Sequence, residues 1–172
     1  MASSKREVKV NKTVRRNSKK ESSQEEMSCW VDIKGECLES PPSGAYGFTY
    51  IIKAKNHPGL PSDVRGKIYV GKKAFTHRKK KRLSKTSRKG TRKKVSINQV
   101  DSGWLKYWGS SKPLLEDIKK YGVSMFERQI LSFCANKASL SYDEVYWQIQ
   151  QSVMLVPSYN GWISCRIYKK NL

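Results

Sequence analysis

The segment "RGKIYVGKKAFTHRKKKRLSKTSRKGTRKK", residues 65–94, joins a tyrosine to a dense run of cations. Tyr69 ends an apolar stretch, and Lys72, Lys73 and the basic run follow it directly. A second tyrosine, Tyr50, sits in the preceding apolar stretch "YGFTYIIKA". If the two stretches are neighbouring strands and the rings share a face, the hydroxyls lie within about 5–8 Å, the spacing of paired and diagonal strand positions. Two phenols beside a polyanion-binding segment could act on a bound polyanion. The plainer reading is two half-buried aromatics, the usual fate of a strand tyrosine.

The run 78–94 holds eleven Lys and Arg residues, more than solubility demands. Lys79, Lys80, Lys81, Lys85, Arg88, Lys89, Arg92, Lys93 and Lys94, with Lys72 ahead of them, are candidate phosphate contacts. Such contacts give affinity without reading sequence. A solvated loop is the milder alternative, and His77 beside the run is read as a bystander. The whole chain has 172 residues and a formal net charge of +21. Charge at that density opposes compaction, so a polyanionic partner is its simplest reason, with nucleic acid ahead of an anionic membrane. The run has one apolar residue, Leu83, and therefore no amphipathic membrane face. No apolar stretch is long enough to span a bilayer and no signal peptide is apparent. Cys29, Cys37, Cys134 and Cys165 form no C-x-x-C pair, and His57 and His77 are the only histidines. Zinc and a disulfide framework are not expected, and a reduced, cytoplasmic setting is.

Positioning these groups requires a small α+β domain: a three-stranded antiparallel sheet flanked by helices. Residues 1–28 lack aromatic residues and apolar periodicity and read as disordered. "ESPPSGAYG" marks 29–45 as loop or linker, so 1–45 is expected to be a basic arm, with compact structure from Tyr46 to residue 172 and a basic insertion at about 78–94. Strands are expected at 46–54, with Phe48, Tyr50 and Ile52 on one face, at 67–71, and at 124–134. A helix is expected over 110–122, capped at Ser110 or Ser111, with Leu114, Leu115 and Ile118 inward and Gly122 closing it. A second helix is expected over 139–155, with Tyr142, Val145, Ile149 and Val153 near one face. The tail carries a turn at "YNG" and room for a final strand.

Taken together, "FTYII" and "KIYVGKK" resemble the two leading strands of the GIY-YIG nucleases. "WLKYWGSSKPLLEDIKKYG" followed by "FERQIL" is similar to that family's helix–strand unit, "SYDEVYWQ" supplies a glutamate on the next helix, and "YNGWI" an asparagine after it. The resemblance covers 46–163 and is nearest to phage-encoded, stand-alone enzymes of the Seg homing type. Phe48 and Thr49 stand where the first motif has Gly and Ile. The family's arginine follows the second tyrosine by about ten residues, a distance that falls on Arg78 and Arg82; if its helix resumes after the insertion, Lys106 and Tyr107 are the counterparts.

The resemblance implies a metal-dependent DNA endonuclease. Tyr50 and Tyr69 would aim and deprotonate a water, with Lys73 helping to lower a phenol from its usual pKa near 10. Arg78, Arg82 or Lys106 would balance the charge gained by the phosphorane. Glu144 would hold a hard divalent ion, Mg²⁺ or another such as Mn²⁺, and Asn160 would complete the set. Two local alternatives stay open: Ser141-x-x-Glu144 has capping-box spacing, and Asn160 is a natural turn residue. The partner implied is double-stranded DNA, in host cytoplasm if the source is a phage; neither the target site nor the oligomeric state follows. The rival class is a basic binding protein without catalysis, a degenerate nuclease or a ribosomal-type RNA binder.

Overall fold

A computed structural model describes residues 29–90, 92 and 94–163. The expectations for 1–28, Lys93, Cys165 and the last part of the tail lie outside these residues. Strands β1 (Gly47–Ala54), β2 (Ile68–Ala74), β3 (Thr76–Arg82), β4 (Val95–Asp101) and β5 (Phe126–Cys134) alternate with helices α1 (Lys112–Tyr121) and α2 (Lys137–Gln150) in the order β1-β2-β3-β4-α1-β5-α2. β2, β1 and β5 form one antiparallel sheet with β1 in the middle; β3 and β4 form a separate two-stranded ribbon. The three-stranded sheet and its two helices are the α+β arrangement expected from the sequence.

β1 is enriched in β-branched and aromatic residues, as a central strand should be. Its alternation sends Phe48, Tyr50 and Ile52 into one core with Trp30, Leu114, Ile118 and Phe126. Ile51 packs on the other face with Val70 and Val153, bordered by Trp147. An extra residue, Leu131, interrupts the β1–β5 register between Thr49 and Tyr50, a bulge of the kind that re-aims side chains near functional sites.

Residues 29–45 are not a linker, and compact structure does not begin at Tyr46. Trp30 is fully buried, stacks edge-on against Phe48 and Tyr50, and donates its indole N–H to the Trp104 carbonyl at 2.8 Å. Val31 bridges both Cys37 and Gln129 of β5. Cys29 and Cys37 are joined by a disulfide, against the expectation of reduced cysteines. Turn residues dominate this stretch, so one buried tryptophan carries little weight in a pattern reading. Cys134 is a buried thiol whose pKa burial pushes up to about 11.

α1 starts at the expected cap Ser111 and ends at Gly122, whose φ of 88° favours glycine. Leu115 faces solvent, leaving Leu114 and Ile118 as the buried pair. α2 starts earlier than expected: Asn136 is its N-cap and forms a capping box with Ser139. Its inward residues are Leu140, Val145 and Gln148, while Tyr142 and Ile149 are exposed, and Val153 is buried beyond the helix end. Asp143 ties the helix to the sheet by accepting from Thr49 Oγ1 at 2.5 Å and from Ser132. The third strand begins at Phe126, because Val123–Met125 form a 3-10 turn. In the tail, Ser158 makes a parallel bridge to Ile68 at the edge of β2.

Candidate active site at the edge of the second strand

The antiparallel register sets Tyr50 opposite Gly71 and Ile52 opposite Tyr69. Tyr50 and Tyr69 are therefore diagonal neighbours on one face, and their ring centroids lie 6.1 Å apart. Gly71 is demanded by that contact. A Cβ on it would come within 2.6 Å of the Tyr50 hydroxyl oxygen and 3.1 Å of Tyr69 Cε1. Gly109, with φ of 90°, makes room on the other side: its Cβ would meet Tyr69 Cε1 at 2.9 Å. Each glycine thus fixes where a tyrosine ring can lie.

The two phenols have different environments. Tyr50 is buried, with Tyr107 and Tyr69 as ring neighbours, and its hydroxyl makes no well-formed hydrogen bond. Burial holds its pKa well above 10, and the nearby phenols push the same way. The expected lowering by cations does not occur at Tyr50, which stays protonated. Lys73 sits over the Tyr107 ring at 4.0 Å rather than against a phenolic oxygen, and burial lowers its own pKa. Tyr69 is half-buried, its hydroxyl 3.1 Å from Ser110 Oγ.

Tyr69, Ser110, Glu144, Gln148, Asn160 and Trp162 line an open cleft of about 440 Å³. Glu144 reaches it from the middle of α2, where it pairs with Lys72 Nζ at 2.9 Å; Lys72 also donates to Ser141 Oγ at 3.1 Å. The capping reading of Glu144 is overturned, since Asn136 and Ser139 cap the helix two turns earlier. Asn160 closes the cleft along the free edge of β2. Its Oδ1 accepts from the Val70 N–H at 2.9 Å and its Nδ2 donates to the Val70 carbonyl at 2.8 Å. The amide thus mimics a strand partner, satisfying backbone groups that an edge leaves open. Pro157 and Tyr159 extend the pairing on both sides of Ile68.

The other cation candidates lie elsewhere. Arg78 and Arg82 are on β3, exposed, with no hydrogen bond or ion pair to Tyr50, Tyr69 or Glu144 among the described residues. Lys106 is exposed in the 3-10 turn Trp104–Lys106, so that stretch is a turn where a helix was considered. Lys72, read from the sequence as a phosphate contact, is the cation held against Glu144. Ser110, Gln148 and Trp162 were missed. Gln148 lies one turn beyond Glu144 on α2, so the i, i+4 spacing was the available signal. Another missed residue supports the site from behind. Arg128 is buried between the Trp30 and Trp108 rings at 4.7 and 4.2 Å and donates to the Leu105 and Tyr107 carbonyls at 3.0 and 2.9 Å. Burial lowers its pKa to about 10. It ties β5 to the segment that carries Tyr107.

A family model described as "Putative endonuclease segE, GIY-YIG domain" matches residues 30–163, which include every residue of this cleft. The chain belongs to the GIY-YIG endonuclease family. Its activity class is therefore phosphodiester hydrolysis. The match starts at Trp30, in keeping with that residue's place in the nuclease core. No curated protein and no solved structure matches the chain. Among the described residues, no helix is long and apolar enough to cross a membrane.

Proposed function

We propose that this GIY-YIG enzyme is a divalent-metal-dependent DNA endonuclease whose reaction centre is the cleft between Tyr69 and Glu144. The observation that carries the reading is convergence: a phenol, a carboxylate paired with a lysine, and a strand-clamping asparagine meet at one open edge. Among the described residues no group of three His, Cys, Asp or Glu could hold a metal. A lone carboxylate still fits a hard, hydrated ion such as Mg²⁺, which commonly uses one or two carboxylates plus substrate phosphate oxygens. Glu144 would hold it, and when bound it would supply Lewis-acid stabilisation of phosphate charge.

The remaining work falls to the chain. The Tyr69 hydroxyl orients the attacking water and relays its proton, giving up its own to solvent as it accepts the water's, with Ser110 Oγ 3.1 Å away to share the hydrogen bond. Tyr50, buried and protonated, does not titrate in the working range and acts by fixing the Tyr69 ring. Lys72 sits where positive charge can balance the phosphorane. Asn160 is a positioning residue, because both amide atoms are committed to Val70. The net charge of +21 suits a duplex polyanion. Similarity to the Seg type supports a phage source and action on DNA in the host cytoplasm.

Relaxation of supercoiled plasmid tests the reading. Wild type should nick or linearise DNA with Mg²⁺ or Mn²⁺ and stop with EDTA, and Tyr69→Phe should lose most of the rate while still binding DNA. Full cleavage in EDTA would refute metal dependence, and full cleavage by Tyr69→Phe would refute the role of the phenol.

A further inference from the structure

The basic insertion begins as a strand, Thr76–Arg82, and not as a loose loop. Seven residues of β3 pair in register with seven of β4: Thr76 with Asp101, His77 with Val100, Arg78 with Gln99, Lys79 with Asn98, Lys80 with Ile97, Lys81 with Ser96 and Arg82 with Val95. Directly opposed residues share a face, so the ribbon has two distinct sides. One carries Arg78, Gln99, Lys80, Ile97, Arg82 and Val95; the other carries His77, Val100, Lys79, Asn98, Lys81 and Ser96. Among the described residues, nothing from the rest of the domain covers either side over Lys79–Arg82, where every β3 residue is exposed. A bare two-stranded ribbon is at best marginally stable, and this one adds repulsion among five successive cations, Arg78–Arg82. A polyanion that neutralises them resolves both difficulties.

The sides differ in chemistry. Phosphate needs only charge, which Lys79 and Lys81 supply. The first side holds both of the strand's guanidinium forks, a glutamine amide and two aliphatic side chains. Arg pairs bidentately with guanine O6 and N7, Gln with adenine N6 and N7, and aliphatic groups with the thymine methyl. Ile97 is 57% exposed between those polar groups. A methyl-lined groove floor would bury it. The major groove, about 12 Å wide, admits a two-stranded ribbon. Arg78 and Arg82 are four residues apart, about 13 Å along a strand, which matches about four base-pair steps of roughly 3.4 Å.

We propose that the β3–β4 ribbon lies in the major groove of duplex DNA and reads about four base pairs through Arg78, Gln99, Ile97 and Arg82, while Lys79 and Lys81 hold phosphates. This rests on the nuclease reading in one respect only, that the substrate is double-stranded DNA. It gives the enzyme a device for choosing a site, separate from the cleft that cuts.

The test reads binding, not cleavage. Full-length wild-type chain in EDTA selects from a randomised duplex pool, followed by titrations across salt concentration. A preferred run of about four base pairs is expected. Arg78→Ala and Gln99→Ala should each lose discrimination at one position by about 5- to 150-fold, and Arg82→Ala at another. Lys79→Ser and Lys81→Ser should weaken every sequence alike and flatten the salt slope by about 0.9 each. Replacing guanine by 7-deazaguanine in the preferred run removes a major-groove acceptor without touching the protein. It should weaken wild type and leave the matching arginine variant unaffected. Identical preferences in wild type, Arg78→Ala, Gln99→Ala and Arg82→Ala would overturn the proposal, as would wild type with no preference at all. A chain that binds in this pattern but never cuts would refute the nuclease reading instead, so the two can fail separately.

Discussion

Gly71→Ala should uncouple the two tyrosines. An added Cβ would lie 2.6 Å from the Tyr50 hydroxyl oxygen, 2.9 Å from Tyr50 Cζ and 3.1 Å from Tyr69 Cε1. The first two are closer than van der Waals contact permits, and Tyr50 is fully buried, so it cannot swing away. Overpacking of this kind costs about 1–3 kcal/mol, or a fall in Tm of roughly 3–10 °C in a chain of this size. The Tyr69 ring, also crowded by Gly109, would shift, and misplacement of a reacting group by about 1 Å can cost roughly 100-fold in rate. Thermal melting by circular dichroism and single-turnover cleavage measure the two effects. Tyr50→Phe supplies the control, because it removes the atom in closest conflict. The double variant should recover part of the lost stability, a coupling of about 0.5–3 kcal/mol. Additive losses in the double variant, or a Gly71→Ala protein with wild-type Tm and rate, would refute the argument that this glycine exists to seat the tyrosine pair.

Asn136→Ala removes the oxygen that accepts from Ala138 and Ser139 and should cost about 0.5–2 kcal/mol in urea unfolding, whereas Ser141→Ala should not show an N-cap loss. Arg128→Met keeps the stem but leaves the Leu105 and Tyr107 carbonyls without this donor; a loss of about 1–3 kcal/mol is expected, read by the same unfolding curve. Stability should also fall as pH rises above about 10. Burial and the bond to Asp117 raise the Tyr159 pKa, and burial raises that of Tyr50, so both stay protonated when folded. Their unfolded counterparts ionise near 10, so this contribution is complete below pH 10 and declines above it. Tyr159→Phe should make the alkaline decline shallower, and an unchanged slope would contradict it.

The parts that were legible in the sequence are those with a strong local period. β1 could be read because aromatic and β-branched residues alternate on a strand buried on both faces, and α1 because Ser111, Pro113 and Gly122 punctuate it. Trp30 could not, since its burial comes from partners 18 to 98 residues away, Phe48, Trp104 and Arg128 among them. The ribbon was hidden for another reason. Its lysines and arginines obscure the alternation, and pairing with β4 across the loop decides its structure. At the cleft, the capping-box spacing around Glu144 misled because Asn136 offered a better cap earlier in the chain. Lys72 reads as a phosphate contact because sequence does not reveal which of two adjacent lysines faces α2.

The most direct test of the central claim is single-turnover cleavage by Glu144→Gln at saturating Mg²⁺, with DNA binding and Mn²⁺ binding measured on the same protein. Glu144 plays no part in the helix cap and Gln is a good helix former, so the fold and DNA affinity should persist. Cleavage should fall by about 10²–10³, and Mn²⁺ affinity, followed by the loss of free-ion paramagnetic signal, should fall with it. A folded Glu144→Gln protein that binds DNA, binds Mn²⁺ as wild type does and cuts within a few-fold of its rate would contradict the claim that this carboxylate is the centre of the site.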